Sequence, residues 1–198
     1  MPKIVDKELM KKSIINAALQ SFLKYGFNKT TMDQIANETN IAKGTLYLYF
    51  KSKDVLISSI TELHFKKLLN DLLPKEYCQT LEQLLEYIKN ALLINEEDSK
   101  FIPIFFEAFG SKLSSDVFMK DYKNLFDKIG YFYAQNFKIL IQNNQVKPTL
   151  NTETFARVLV SMIDGIILHK GFFKIEERKY SIMVEDAIDV FRLGLSKV

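Results

Sequence analysis

The chain has 198 residues, 47% hydrophobic and 26% charged, enough for a packed core in one large domain or in a small and a medium one. No apolar run reaches the ~18 residues of a membrane span. The N-terminal "MPKIVDKELMKK" lacks the apolar centre of a signal peptide. Its single cysteine, Cys78, excludes an internal disulfide and fits a reducing cytoplasm. The net charge of +3 is unevenly placed: residues 1–70 hold 11 lysines against 6 acidic residues, and residues 71–198 hold 16 Lys and Arg against 18. A basic first third suits an anionic partner for that part alone, or a lysine-rich solvated surface.

Glycine and proline are scarce, and apolar residues recur at helical spacing almost throughout. The pattern predicts an all-α chain. A first helix runs over 6–25, with Leu9, Ile14, Ala17, Ala18 and Phe22 as its apolar stripe and Gly26 as a left-handed cap. Thr31 followed by Gln34 is a capping-box pattern that opens a short helix at Met32. That helix stops near Thr39-Asn40, where asparagine tolerates the left-handed turn. Ser52 opens a long helix over 53–72, which Pro74 ends.

Further on, Thr80 and Gln83 repeat the capping box and open a helix to about Ile94. Residues 96–113, interrupted by Pro103 and Gly110, predict a kinked or broken helix. Three more helices are expected over 115–143, 152–172 and 176–195, giving about nine in total.

The segment "TLYLYF" (residues 45–50) has the composition of a strand. It has no neighbouring strand and lies between two capped helices, so helix is the better reading. Leu46 and Phe50 then share the inward face, behind a turn at Asn40-Ile41, with Ile35 and Ala36 on the preceding helix. A small residue at the helix crossing, a turn tolerating positive φ and apolar residues gripping the second helix are what a helix-turn-helix requires.

The stretch "TTMDQIANETNIAKGTLYLYFKSKDVL" resembles the DNA-binding segment of the TetR/AcrR family of bacterial regulators. The matching residues are Thr31, Ile35, Ala36, Lys43, Gly44, Thr45, Leu46, Tyr47, Tyr49, Phe50, Lys51, Lys53, Asp54 and Leu56. Asn40 stands where the family usually has glycine, and Leu48 where many members carry a polar or aromatic residue. The resemblance implies an N-terminal three-helix DNA-binding domain over 1–52 and a ligand-binding and dimerisation domain over 53–198.

Geometry and resemblance together assign roles. Thr31, Tyr47, Tyr49 and Lys53 are expected at phosphates, Gly44 allows close approach, and Lys43 and Thr45 reach base edges, with Asp33 and Gln34 as weaker candidates. Packing within the small domain is the alternative role for each tyrosine, and the two roles can coexist.

In the larger domain, the family likeness implies an inducer cavity lined from Phe105, Phe106, Phe109, Phe118, Tyr122, Phe126 and Phe132. Rings at helical spacing also build ordinary cores. Among the apolar residues of the last two helices some must be core; the remainder, with Phe155, Leu159, Met162, Ile166, Val184, Ile188 and Phe191 as candidates, suits the homodimer interface that the resemblance also implies.

The implied activity is a ligand-responsive regulator, a homodimeric repressor on a palindromic double-stranded operator with a lipophilic small-molecule effector. A helical small-molecule-binding or scaffold protein without DNA recognition is the competing reading. An enzyme finds little support. "AKGT" lacks the upstream glycine of a phosphate loop, and His64 and His169 stand apart with no metal-ligand spacing, so no metal or other cofactor is expected.

Overall fold

The computed structural model describes residues 7–73, 75–110 and 116–196, apart from the side chains of Leu68, Asp71, Asp116, Val117, Phe118 and Asp121. The expectations placed on Pro74, Ser115 and the Phe118 ring lie outside the described residues. Among those described, nine helices occur and no strand: α1 (Lys7–Tyr25), α2 (Met32–Glu38), α3 (Lys43–Tyr49), α4 (Lys53–Leu72), α5 (Leu81–Leu92), α6 (Glu96–Phe109), α7 (Asp116–Gln142), α8 (Thr152–Phe173) and α9 (Glu177–Leu195). None of the described helices is long and apolar enough to cross a membrane.

Local chemistry explains the boundaries. Gly26 has φ +83 and its N–H bonds the Phe22 carbonyl, which closes α1. Thr31 and Thr80 each form a complete capping box with the glutamine three residues on. Asn40 takes φ +52 between α2 and α3. "TLYLYF" is helical up to Tyr49, and Phe50 is its extended cap. α6 is not broken at Pro103: it continues through that residue, and the α-helix ends at Phe109, just before Gly110. Pro103 has no N–H to offer the preceding turn, yet its fixed φ is itself helical.

The helices divide into two compact units. The first spans Met1–Lys66 with Pro103–Ser111, and the second spans Lys67–Ile102 with Lys112–Val198. α4 and α6 are therefore shared, α6 with the division at Pro103. In the first unit, Ile14, Ala18, Phe22, Ile35, Leu46, Phe50, Leu56, Ile57 and Ile60 are buried and form the core that seats α1 to α4.

The second unit has its own core, drawn from α5, α7, α8 and α9. The Tyr133 hydroxyl donates to the Leu72 carbonyl and that of Tyr180 to the Leu92 carbonyl, so both buried phenols are satisfied. Asn136 is fully buried; its Oδ1 accepts the Cys78 N–H at 2.8 Å and its Nδ2 donates to the Phe132 carbonyl. Burial also pushes the Cys78 thiol upward in pKa, which keeps it a protonated, unreactive core group.

The helical-surface expectation for α8 and α9 needs correction. Leu159, Val184, Ile188 and Phe191 are buried within the chain, and Phe155, Met162 and Ile166 are half-buried against the same core. The apolar side chains left exposed are others: Val158, Phe172 and Phe173 on α8, and Ile182, Val190 and Leu193 on α9. Both helices are apolar on more than one side, and periodicity alone does not say which side the chain's own core claims.

Candidate nucleic-acid interface

α2 and α3 meet across the turn at Asn40, with buried Ile35 and Ala36 behind α2 and buried Leu46 behind α3. Successive residues of a helix are rotated by about 100°. Gly44 and Leu48 therefore lie opposite Leu46 and form the outward crest of α3. Lys43 and Tyr47 form one flank, and Thr45 and Tyr49 the other.

The crest is bare at one end. A Cβ built on Gly44 meets nothing within 4 Å, so the chain's own packing does not require glycine there. Glycine inside a helix costs about 0.5–1 kcal/mol relative to alanine. This seven-residue helix therefore carries the cost with no steric reason from neighbouring atoms within 4 Å. Leu48, at the other end of the crest, is 75% exposed. Tyr47, Tyr49 and Thr45 are half-buried, and their hydroxyls make no hydrogen bond among the described residues. Partial burial of the rings thus leaves their polar tips without a hydrogen bond among the described residues.

Two expected contacts look different in three dimensions. The Lys43 ammonium lies 2.7 Å from Asp33 Oδ1 and donates to Oδ2 at 2.9 Å, tying α3 to α2. This hydrogen bond and the aspartate charge raise the lysine pKa above its ordinary value. Lys53, expected at a phosphate, instead turns into the loop between α1 and α2. Its ammonium donates to the carbonyls of Phe27 at 2.7 Å, Asn28 at 3.2 Å and Thr30 at 2.9 Å, which uses all three of its N–H groups. It also lies 4.5 Å from the Phe27 ring centroid. Thr31 is exposed, and its hydroxyl closes the α2 capping box with Gln34.

A family model for bacterial regulatory proteins of the tetR family matches residues 14–60, which include all of α2 and α3. The HTH-type transcriptional regulator PksA of Bacillus subtilis is 27% identical over 179 residues, covering 85% of this chain and 82% of PksA. YhgD, an HTH-type transcriptional regulator of the same organism, is 46% identical over 50 residues; that match spans 25% of this chain and 26% of YhgD. A TetR transcription regulator from Haloarcula marismortui has the same fold, with TM-score 0.78 at 14% identity over 96% of this chain and all of that one. Residues 14–60 match the tetR family, and the likeness to PksA and to the Haloarcula fold supports a TetR-family transcriptional regulator. The chain is a DNA-binding transcriptional regulator rather than an enzyme.

Within this TetR-family head, sequence reasoning missed Glu107. Its two carboxylate oxygens accept the N–H groups of Asn28 and Phe27, each at 3.0 Å. Local patterning holds no signal for a contact made across about eighty residues.

The expected effector-lining residues divide between the units. Phe105, Phe106 and Phe109 belong to the first, where Phe105 packs against Phe65 with ring centroids 5.5 Å apart. Tyr122, Phe126 and Phe132 belong to the second. There Tyr122 and Phe126 form a ring pair at 4.7 Å, and Phe132 stacks on Tyr77 at 5.4 Å. Burial and the nearby Asp164 charge push the Tyr122 phenol up to about 12, so it stays protonated at neutral pH.

Proposed function

We propose that the chain is a homodimeric, cytoplasmic repressor that reads a palindromic double-stranded operator and is released by a lipophilic small molecule. The observation that carries the DNA-reading part is the crest of α3: an open Gly44 flanked by the hydroxyls of Tyr47 and Tyr49, which make no hydrogen bond among the described residues. Gly44 would let the helix axis sink toward the floor of the major groove. The tyrosines, on opposite flanks, would reach phosphates on the two sides of that groove. Lys43 and Thr45 would address base edges; Lys43 exchanges Asp33 for guanine O6 or N7 as it does so.

Dimerisation is supported by the apolar residues that the core leaves exposed on α8 and α9, chiefly Val158, Ile182, Val190 and Leu193. A two-fold pair of heads about one DNA turn apart matches a palindrome. The aromatic residues Tyr122, Phe126 and Phe132 support a lipophilic effector in the second unit. Such a ligand releases DNA if it favours a head spacing that no longer fits adjacent grooves.

The test is a gel shift with the DNA upstream of the protein's own gene and of its neighbours. Retarded DNA that is lost with Tyr47→Ala supports the reading. Equal retardation of wild type and Tyr47→Ala removes the tyrosine assignment, and no retardation of any fragment removes the operator.

A further inference from the structure

The loop joining α1 to α2 is held from two sides by opposite charges. On one side the Glu107 carboxylate accepts the Phe27 and Asn28 N–H groups, both at 3.0 Å. On the other the Lys53 ammonium takes the carbonyls of Phe27, Asn28 and Thr30. Gly26 leaves room for this arrangement: a Cβ there would meet Glu107 Oε2 at 3.2 Å, and its φ of +83 already disfavours any other residue. The Thr30 hydroxyl adds bonds to the Gly26 and Ser21 carbonyls.

What the clasp holds is the start of the reading motif. Thr31, the α2 N-cap, follows Thr30 directly. α2 then carries Ile35 and Ala36, which seat α3, and Asp33, which holds Lys43. Glu107 is an exposed residue, and exposed charged contacts contribute little to global stability. Its contribution lies in where it puts the loop.

We propose that Glu107 is a positioning residue for DNA binding, fixing the α1–α2 loop so that α2 and α3 are presented in their reading geometry. This rests on the DNA-reading role of α3. Glu107 and the loop it holds lie within the same unit.

The sign of the effect separates this role from a general electrostatic one. Removing an acidic charge from a DNA-binding head ordinarily tightens binding, because it removes repulsion of phosphate. The clasp demands the opposite. In Glu107→Gln the side-chain oxygen accepts one N–H and the amide NH2 confronts the other.

The experiment compares wild type and Glu107→Gln on a promoter fragment that the wild type retards, across a salt series, with amide hydrogen exchange measured on both proteins without DNA. The expected result is about tenfold weaker binding, an unchanged slope of log affinity against log salt because no phosphate contact is lost, and about tenfold faster exchange at Phe27 and Asn28. Thermal melts confirm that the variant is folded, and Glu107→Ala should weaken binding at least as much. Equal or tighter binding by a folded Glu107→Gln overturns the proposal, as does unchanged exchange at the two amides. A wild type that retards no fragment overturns the DNA-reading assignment and the positioning role with it. The exchange data then report separately on whether the clasp forms.

Discussion

Lys43, the first residue of α3, is joined to Asp33 of α2 by an ion pair of 2.7 Å in which both side chains are 60% exposed. So exposed a pair is screened by solvent and adds little to stability, so a DNA phosphate or guanine can compete with it. Asp33→Asn is therefore expected to leave the melting temperature within ~2 °C of wild type and to tighten binding to a promoter fragment about two- to fivefold. Lys43→Ala is expected to weaken it about tenfold or more. Fluorescence anisotropy titration with a labelled fragment measures both.

Gly44 yields a prediction in which stability and function move in opposite directions. Alanine there meets no atom within 4 Å and improves helix propensity. Gly44→Ala should raise stability by about 0.5–1 kcal/mol while weakening DNA binding at least tenfold, since the added methyl lies on the surface that enters the groove. Denaturant unfolding and anisotropy on the same preparation read the two effects.

The division of α8 and α9 between core and surface is tested by a pair of substitutions. Leu193 is 79% exposed and Ile188 is 3% exposed. Leu193→Asp should give a folded chain that elutes as a monomer in size-exclusion chromatography with light scattering and binds the operator more weakly. Ile188→Ala should cost about 2–5 kcal/mol of stability by opening a cavity. The oligomeric state should not follow it.

Acid stability should depend on the link between α5 and α9. The Arg192 guanidinium reaches the two Glu82 oxygens at 3.1 and 3.0 Å, and its hydrogen bonds hold that carboxyl below the ordinary glutamate range. A group whose pKa is lowered by folding contributes stability above its unfolded pKa of about 4.3. That contribution is lost as pH falls through the lower folded value. The pair is largely exposed and screened, so its contribution is small. Glu82→Gln should therefore lower the melting temperature slightly at pH 7 and converge with wild type toward pH 3, followed by circular dichroism.

Much of this fold was legible because its boundaries are set locally. The capping boxes at Thr31 and Thr80, the left-handed cap at Gly26 and the positive φ of Asn40 depend on residues within three or four positions of one another. The recognition helix was legible for the same reason, since Leu46 and Phe50 give it an inward face. Three things were not. Lys53 and Glu107 act on the α1–α2 loop across 23 to 80 residues, and periodicity carries no information at that range. Which residues of α8 and α9 the chain's own core claims was not legible because apolar residues surround much of both helices. α6 was expected to be kinked or broken by Pro103 and Gly110, and it is continuous through Pro103 because proline's fixed φ suits a helix whose preceding turn forgoes one hydrogen bond.

The central claim is that α3 presents an open crest between two tyrosine-bearing flanks to the floor of the major groove. The most direct measurement is the salt dependence of affinity for the DNA upstream of the protein's own gene, taken for wild type and for Tyr47→Phe, Tyr49→Phe and Gly44→Ala. The account predicts tight, salt-sensitive binding by wild type that exceeds its binding to unrelated DNA, with each variant weaker at every salt concentration. Wild-type binding no tighter to that fragment than to unrelated DNA, or Gly44→Ala binding as well as wild type, would contradict it.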